Sequence, residues 1–518
     1  MSAAKGYDDG GAVAPQSNPP GPAVGFRTGP EDQWRRVHPV SPLVRGWLAV
    51  VGLIVVFGRN SFDDLVQAIG TGGRHRPGGA PVWLILSVLA AAVVIFAVVF
   101  FLSWFYTRYQ VTDDHVRVNS GVIFRQQRQA RIDRVQAIDV VQPLLARIFS
   151  LAELKFEVAD AGKSAMKLSF LNLDEAKRLR AAILARASGM RVDPDQPSAI
   201  SEAPEREVLA LTPGRIAGAT LLSGITVAAL VLTALVVGAL LGTGSPALLV
   251  VFIPLLLAVG AAYWKAFTTD CNFRVAVSPD GVRLHYGLLD TRAQTIPPGR
   301  VQAVGVTQSP LWRLTGWYRV HVNVAGYGAD HGDSGGRTVV LPAGTEAEVM
   351  TVLGLIFPDP GVADPVRVFT AGLRGKGRDQ GFIHSPRRAR LLDPFAWRRN
   401  AYRATDTALL CRHGLLFRRL QVVPHERTQS LSLFQGPLMR RLGLVDFELH
   451  STAGPVRPMV HHLDLVSARE LFTGQAARAA SARRTGRPER WMEERPAGPD
   501  LAGAASPSSA DKDNQYEQ

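Results

Sequence analysis

Apolar residues along this chain fall into two patterns: long uncharged blocks, and short runs in which apolar and polar residues alternate. The first block, residues 46–58 (GWLAVVGLIVVFG), is short, and Leu43 and Val44 extend it if Arg45 snorkels to an interface. The second, Val82 to Tyr106, holds about 25 residues without a charge, enough to cross roughly 30 Å of hydrocarbon. The third runs from Ile216 to Trp264, again without a charge. As one helix it would be roughly 73 Å long, far more than a bilayer needs. Gly242-Thr243-Gly244-Ser245-Pro246 breaks it into a helical hairpin. The expectation is a polytopic α-helical membrane protein of about four spans, two in residues 41–106 and two in 210–268.

The alternating runs occur three times. Residues 121–150, 287–316 and 414–443 align without a gap. Gly121, Gly287 and Gly414 coincide, as do Arg134, Arg300 and Arg427, and two residues later Gln136, Gln302 and Gln429. Gln142, Gln308 and Gln435 follow, then Leu145, Leu311 and Leu438, then Arg147, Arg313 and Arg440. Repetition at fixed spacing signals one structural unit used three times. Period-2 alternation after each block, as in Leu154, Phe156 and Val158 or Val320, Val322 and Val324, predicts strands with one buried face. The segments YQVTDDHVRVNSG, FRVAVSPDGVRLHYG and YRATDTALLCRHG read as hairpins. Each copy closes on a helical pattern, with Asp174 as the expected cap in the first. Three domains are expected at 107–190, 270–358 and 400–480, with a basic linker at 359–399 and disordered tails at 1–40 and 483–518.

The 47% apolar content with only 20% charged residues disfavours a purely soluble enzyme. A net charge of +14 suits anionic partners. Two cysteines cannot build a disulfide framework or a cysteine zinc site. The turn at 242–246 has no Lys or Arg, whereas Arg108, Arg125, Arg128, Arg131 and Arg134 follow the second block. By the excess of cations on the inner side, the three domains and both tails are expected in the cytoplasm at the inner (plasma) membrane.

The pattern Gly-Leu-Leu, Arg-x-Gln, Gln-x-Pro-Leu-x-Arg-x-x-Gly, complete in residues 397–444, resembles bacterial membrane proteins with pleckstrin-homology (PH)-like domains, the YdbS/YdbT type. The resemblance covers residues 40–475. It implies three cytoplasmic α+β PH-like domains, each a bent antiparallel sheet closed by a C-terminal helix. Copy one departs from it at Leu144 and Ser150, and copy two at Asp290-Thr291-Arg292 and in a polar insertion at 328–336. The function expected is non-enzymatic binding and scaffolding at the membrane, in envelope homeostasis or stress resistance. The alternative is an anionic-lipid sensor or a component of a lipid or peptide export system. Membrane lipids, and another membrane protein or a second copy, are the expected partners, with no nucleic acid, cofactor or metal.

Candidate chemistry is sparse. Gly332-Asp333-Ser334-Gly335-Gly336 matches a serine-protease nucleophile motif but lies in a polar insertion, where a turn is the simpler reading. His461 and His462, with His450 and His425, lack metal-ligand spacing. Gly375-Lys376-Gly377-Arg378 lacks the phosphate-loop spacing. Arg387, Arg388, Arg390, Arg398 and Arg399 before copy three, with Arg412, Arg418 and Arg419 in its first strands, are the expected lipid contacts. The repeated Arg and Gln residues have two readings. They form a peptide or headgroup site, for which Arg427, Gln429 and Arg440 are the candidates, or they tie a loop to the sheet in every copy.

Overall fold

The computed structural model describes residues 34–41, 44, 82–112, 114–121, 125–158, 166–187, 205–244, 248–278, 281–297, 299–325 and 337–485. The first apolar block, the Gly332–Gly336 motif and most of both expected tails lie outside these residues.

Each copy has seven strands and a closing helix. Copy one contains β1 (Arg35–Arg36), β2 (Arg108–Val111), β3 (His115–Ser120), β4 (Gln126–Arg131), β5 (Val135–Gln142), β6 (Leu151–Val158), β7 (Met166–Asn172) and the Leu173–Ala187 helix. Copy two contains β8 (Arg206–Ala210), β9 (Arg274–Ser278), β10 (Gly281–Tyr286), β11 (Thr291–Ile296), β12 (Val301–Gln308), β13 (Tyr318–Val324), β14 (Val339–Gly344) and the Glu346–Ile356 helix. Copy three contains β15 (Ile383–His384), β16 (Ala401–Ala404), β17 (Ala408–His413), β18 (Arg418–Pro424), β19 (Ser430–Phe434), β20 (Leu444–His450), β21 (Met459–Asp464) and the Leu465–Thr485 helix. The expected hairpins form as β2–β3, β9–β10 and β16–β17. In copy one Asn172, not Asp174, caps the closing helix: its Oδ1 accepts from the Asp174 amide at 3.1 Å. In copy two Thr345 and Glu348 form a reciprocal capping box.

The copies are not separate beads. Each contributes a four-stranded sheet from its first half and a three-stranded sheet from its second, and the second half of one copy joins the first half of the next. The sheet orders are β1-β2-β3-β4, β7-β6-β5-β11-β10-β9-β8, β14-β13-β12-β18-β17-β16-β15 and β19-β20-β21. At the first junction Thr291 faces Gln142 and Ala293 faces Val140. At the second Arg418 faces Gln308 and Leu420 faces Val306. Gln142 and Gln308 are repeat equivalents, as are Thr291 and Arg418. The two junctions therefore share one register.

Alternation delivers the buried face. Val116, Val118, Leu154, Phe156 and Leu168 meet Ile183 of the closing helix in copy one, and Leu409, Cys411, Phe447 and Leu449 meet Leu471 in copy three. Residues 359–399, expected as a basic linker, carry structure that packs on the neighbouring copies. They hold the Pro365–Arg374 helix, whose Val368, Phe369, Ala371 and Leu373 are buried with Val304, Val306, Leu420 and Val422 of the shared sheet. Val368, Phe369 and Leu373 contribute about 1.5–3 kcal/mol each on burial, enough to fasten this segment to both copies.

The long uncharged stretch is broken where expected. Gly224–Thr243 ends at Gly244, whose φ of 64° is the left-handed conformation glycine tolerates, and Leu248–Asp270 follows. Gly224–Thr243 and Phe252–Asp270 are long and apolar enough to cross a membrane, and neither is buried against protein. Val82–Tyr106 is one uncharged 25-residue helix, with Val93, Val94, Ile95, Val98 and Val99 more than half exposed.

Candidate functional site

A second regularity concerns what each copy inserts between its first two strands. β1, β8 and β15 pair with β2, β9 and β16 at equivalent positions: Arg35 faces Tyr109, Leu209 faces Val275 and Ile383 faces Tyr402. Residues 37–107, 211–273 and 385–400 bridge the gap. In each copy this bridge first packs on the short helix that follows the repeat's Gln. Val40 and Val44 lie against Leu145 and Ala146, Ala219 and Leu222 against Trp312, and Ala389 and Leu392 against Met439. The Trp312 indole fixes the second contact by donating to the Ala219 carbonyl at 3.0 Å. In the first two copies the bridge then continues into the apolar blocks. In copy three it is a short loop in the same place.

That loop is rigid. Asp393 accepts from the Ala396 amide at 3.1 Å and from Asn400 Nδ2 at 2.7 Å, and Trp397 packs with Ala389 and Met439. Its tip points two apolar side chains into solvent, Leu391 at 75% exposure and Phe395 at 78%. Arg387, Arg390 and Arg398 beside them are exposed. Arg388 is also exposed but is paired with Asp464 and donates to the Gly443 carbonyl at 3.2 Å. An apolar tip ringed by cations suits the headgroup boundary of an anionic membrane.

The other expected lipid contacts divide. Arg419 is exposed, and Arg418 is half-buried with Nη1 3.5 Å from Gln308 Oε1. Arg399 and Arg412 are wholly buried, so neither contacts lipid. Arg399 donates to the carbonyls of Gly372, Leu373 and Gly375 at 3.1, 2.7 and 2.9 Å. Arg412 donates to the carbonyls of Ala371, at 2.8 Å, and Gly377, and stacks over Phe382. Together they satisfy the carbonyls at the C-terminal end of the Pro365–Arg374 helix, where cations are favoured. Burial lowers Arg399 to about 9, with Arg418, Arg412 and Arg313 adding to the shift, and lowers Arg412 to about 10. Both stay protonated at neutral pH. The Gly375-Lys376-Gly377-Arg378 segment lies at this carbonyl end, which repels phosphate.

Arg427, Gln429 and Arg440 are not brought together. Gln429 precedes β19 and Arg440 lies on the Pro437–Leu442 helix beyond the other end of that strand, a separation of about 17 Å for five extended residues. Arg427 lies 3.7 Å from Glu426. The other repeated Gln, at the end of this strand in each copy, has a structural role. Gln142, Gln308 and Gln435 donate to the carbonyls of Leu151, Trp317 and Leu444 at 3.1, 3.3 and 3.0 Å, nine residues on in each copy. The repeated glycines are equally structural: Gly121, Gly287 and Gly414 have φ of 105°, 106° and 78°, and a Cβ at Gly287 or Gly414 would collide with the carbonyl of Asp290 or Phe417.

The junctions themselves were not foreseen. Arg313 reaches across the second one to the carbonyls of Leu415 and Leu416 in the next copy's turn. Its repetition as Arg147 and Arg440 was the available signal. Arg147 lines a cleft of about 650 Å³ over the first junction, where Lys177, Arg180, Arg274 and Arg292 outnumber Glu205 and Glu207. Burial would raise the Glu205 carboxyl, but Arg283 and His285 outweigh it and hold it below its usual range. His413 is buried 5.5 Å ring to ring from His461, whose Nδ1 lies 3.3 Å from Asp446. Among the described residues no group of three His, Cys, Asp or Glu side chains stands close enough to hold a metal.

Comparison with known proteins agrees with the threefold architecture. The bacterial PH domain family matches at residues 53–187, 218–357 and 383–479. The UPF0699 transmembrane protein YdbT of Bacillus subtilis (strain 168) is 23% identical over 274 residues, covering 46% of this chain and 54% of that relative. No solved structure matches. With three matches that together take in most of its length, each over one copy of the repeat, the chain belongs to the bacterial PH domain family.

Proposed function

We propose that this is a non-enzymatic, membrane-anchored scaffold: a multi-pass protein of about four spans that holds three PH-like domains on the cytoplasmic face, with copy three docked on anionic lipid. The observation that carries the reading is the loop at 385–400. It takes the place from which the apolar blocks leave the other two copies, and it presents Leu391 and Phe395 among Arg387, Arg390 and Arg398. Each Arg near an anionic surface contributes about 1 kcal/mol, screened by salt. Leu391 and Phe395 add about 1.5–3 kcal/mol each once removed from water. The name of the Bacillus relative, a transmembrane protein, and the two bare apolar helices support the anchoring.

The test uses the full chain with Phe395→Cys carrying an environment-sensitive dye, in nanodiscs of neutral or anionic lipid. The native Cys271 and Cys411 are buried and remain unlabelled. Docking predicts a blue-shifted dye quenched by spin-labelled lipid in anionic discs, and a weaker effect in high salt. A dye equally exposed to water in both discs refutes it.

A further inference from the structure

The two internal junctions each pair a first-half edge of one copy with a second-half edge of another; among the described residues copy one keeps an open first-half edge and copy three an open second-half edge. Among the described residues β4 pairs only with β3, and β19 pairs only with β20. β4 is the equivalent of β11 and β18, and β19 the equivalent of β5 and β12.

Their exposure differs as expected for missing neighbours. Gln294 and Thr295 are 1% and 4% exposed, and their counterparts Gln421 and Val422 are also buried. The corresponding Arg128 and Gln129 of β4 are exposed. Val140 and Val306 are buried at the junctions, whereas the corresponding Leu433 of β19 is 39% exposed and Phe434 next to it 68%. β19 has no charge and no proline over its five residues, so it lacks the usual devices that discourage pairing at an edge.

We propose that β19 of one chain pairs antiparallel with β4 of a second copy of this chain, in the register that both internal junctions use. Carrying that register over sets Leu431 opposite Gln129, Ser432 opposite Arg128, Leu433 opposite Gln127 and Phe434 opposite Gln126. Charge is complementary in this alignment. Ser432 faces Glu448 on β20, so Arg128, Ser432 and Glu448 form one row across three strands. The small serine leaves the Arg128 side chain room to reach the carboxylate. The contact is head to tail: the edge used at one end differs from that at the other, and it leaves both ends of a pair open to further copies. It does not depend on lipid docking by copy three.

The test uses two differently tagged full-length chains expressed together, Leu433→Cys in one and Gln127→Cys in the other, treated in their own membranes with a short thiol-to-thiol cross-linker. A product joining the two tags is expected. The out-of-register pair Ser430→Cys with Gln127→Cys should lose it. Adding Ser432→Lys, which sets a cation opposite Arg128, should also lose the product, and Arg128→Glu in the other chain should restore it. Absence of the in-register product overturns the proposal. So does an equal yield from the out-of-register pair, a product indifferent to Ser432→Lys, or a cross-link formed only within one chain when both cysteines are placed in it.

Discussion

Replacing Arg399 with leucine removes a guanidinium that is 1% exposed and holds three carbonyls at the end of the Pro365–Arg374 helix. Leaving three buried acceptors unpaired costs about 1–3 kcal/mol each. Relief from burying a cation that has like charges around it returns part of this. A net loss of about 3 kcal/mol follows, roughly a hundredfold increase in the population of the opened form. Cys411 reads that population directly. It lies in β17 next to Arg412, is fully buried, and its thiol is pushed up to about 12 by burial, so it reacts only when the region opens. In a Cys271→Ser background, Arg399→Leu should speed labelling of Cys411 by a fluorogenic maleimide by about two powers of ten. Arg398→Leu, one residue away and exposed, should leave the rate nearly unchanged. A rate for Arg399→Leu within about threefold of the parent would show that these carbonyls do not need the guanidinium, and the capping argument fails.

Three other outcomes are expected. Ser150 has φ 53° where its repeat equivalents Gly316 and Gly443 have 69° and 60°; Ser150→Gly should raise stability by about 1 kcal/mol and Gly443→Ser lower it similarly, read from thermal unfolding in detergent. Gly414→Ala should cost more, about 2 kcal/mol or above, because its Cβ also meets the Phe417 carbonyl; a melting temperature equal to the parent's would contradict this. Acid should destabilise the fold: burial, with cationic neighbours, pushes His413 down to about 3 and His321 to about 4. Both stay neutral when folded but take protons when unfolded below about pH 6.5, so stability falls as pH drops from there toward about 4, each group costing about 2 kcal/mol at pH 5. His413→Gln should flatten that slope, and an unchanged slope would remove His413 as a cause.

The uncharged helices at Val82–Tyr106, Gly224–Thr243 and Leu248–Asp270, the hairpins and the closing helices could be read from sequence because they depend on local quantities. Charge-free length sets what can cross a bilayer, and period-2 alternation sets which face of a strand is buried. The aligned Gly121, Gly287 and Gly414 marked a turn that requires positive φ, a constraint on the chain itself wherever it folds. Exact spacing between Gln142, Gln308 and Gln435 marked a shared need, though not the carbonyl that each one meets.

Sequence could not show which arginines are wet. Arg398 and Arg399 are adjacent and chemically identical, yet the first lies at the surface and the second ends a helix formed by residues 25 to 34 positions earlier. Only the packing of the Pro365–Arg374 helix on the β12–β18 sheet decides between solvent and carbonyl for each side chain. Pairing between copies is likewise non-local. β5 and β19 derive from the same repeat, and nothing in either strand states that one has a neighbour among the described residues and the other an open edge. Tertiary structure decided that, because the partner strand of β5 lies in the next copy, whereas among the described residues β19 pairs with β20 alone.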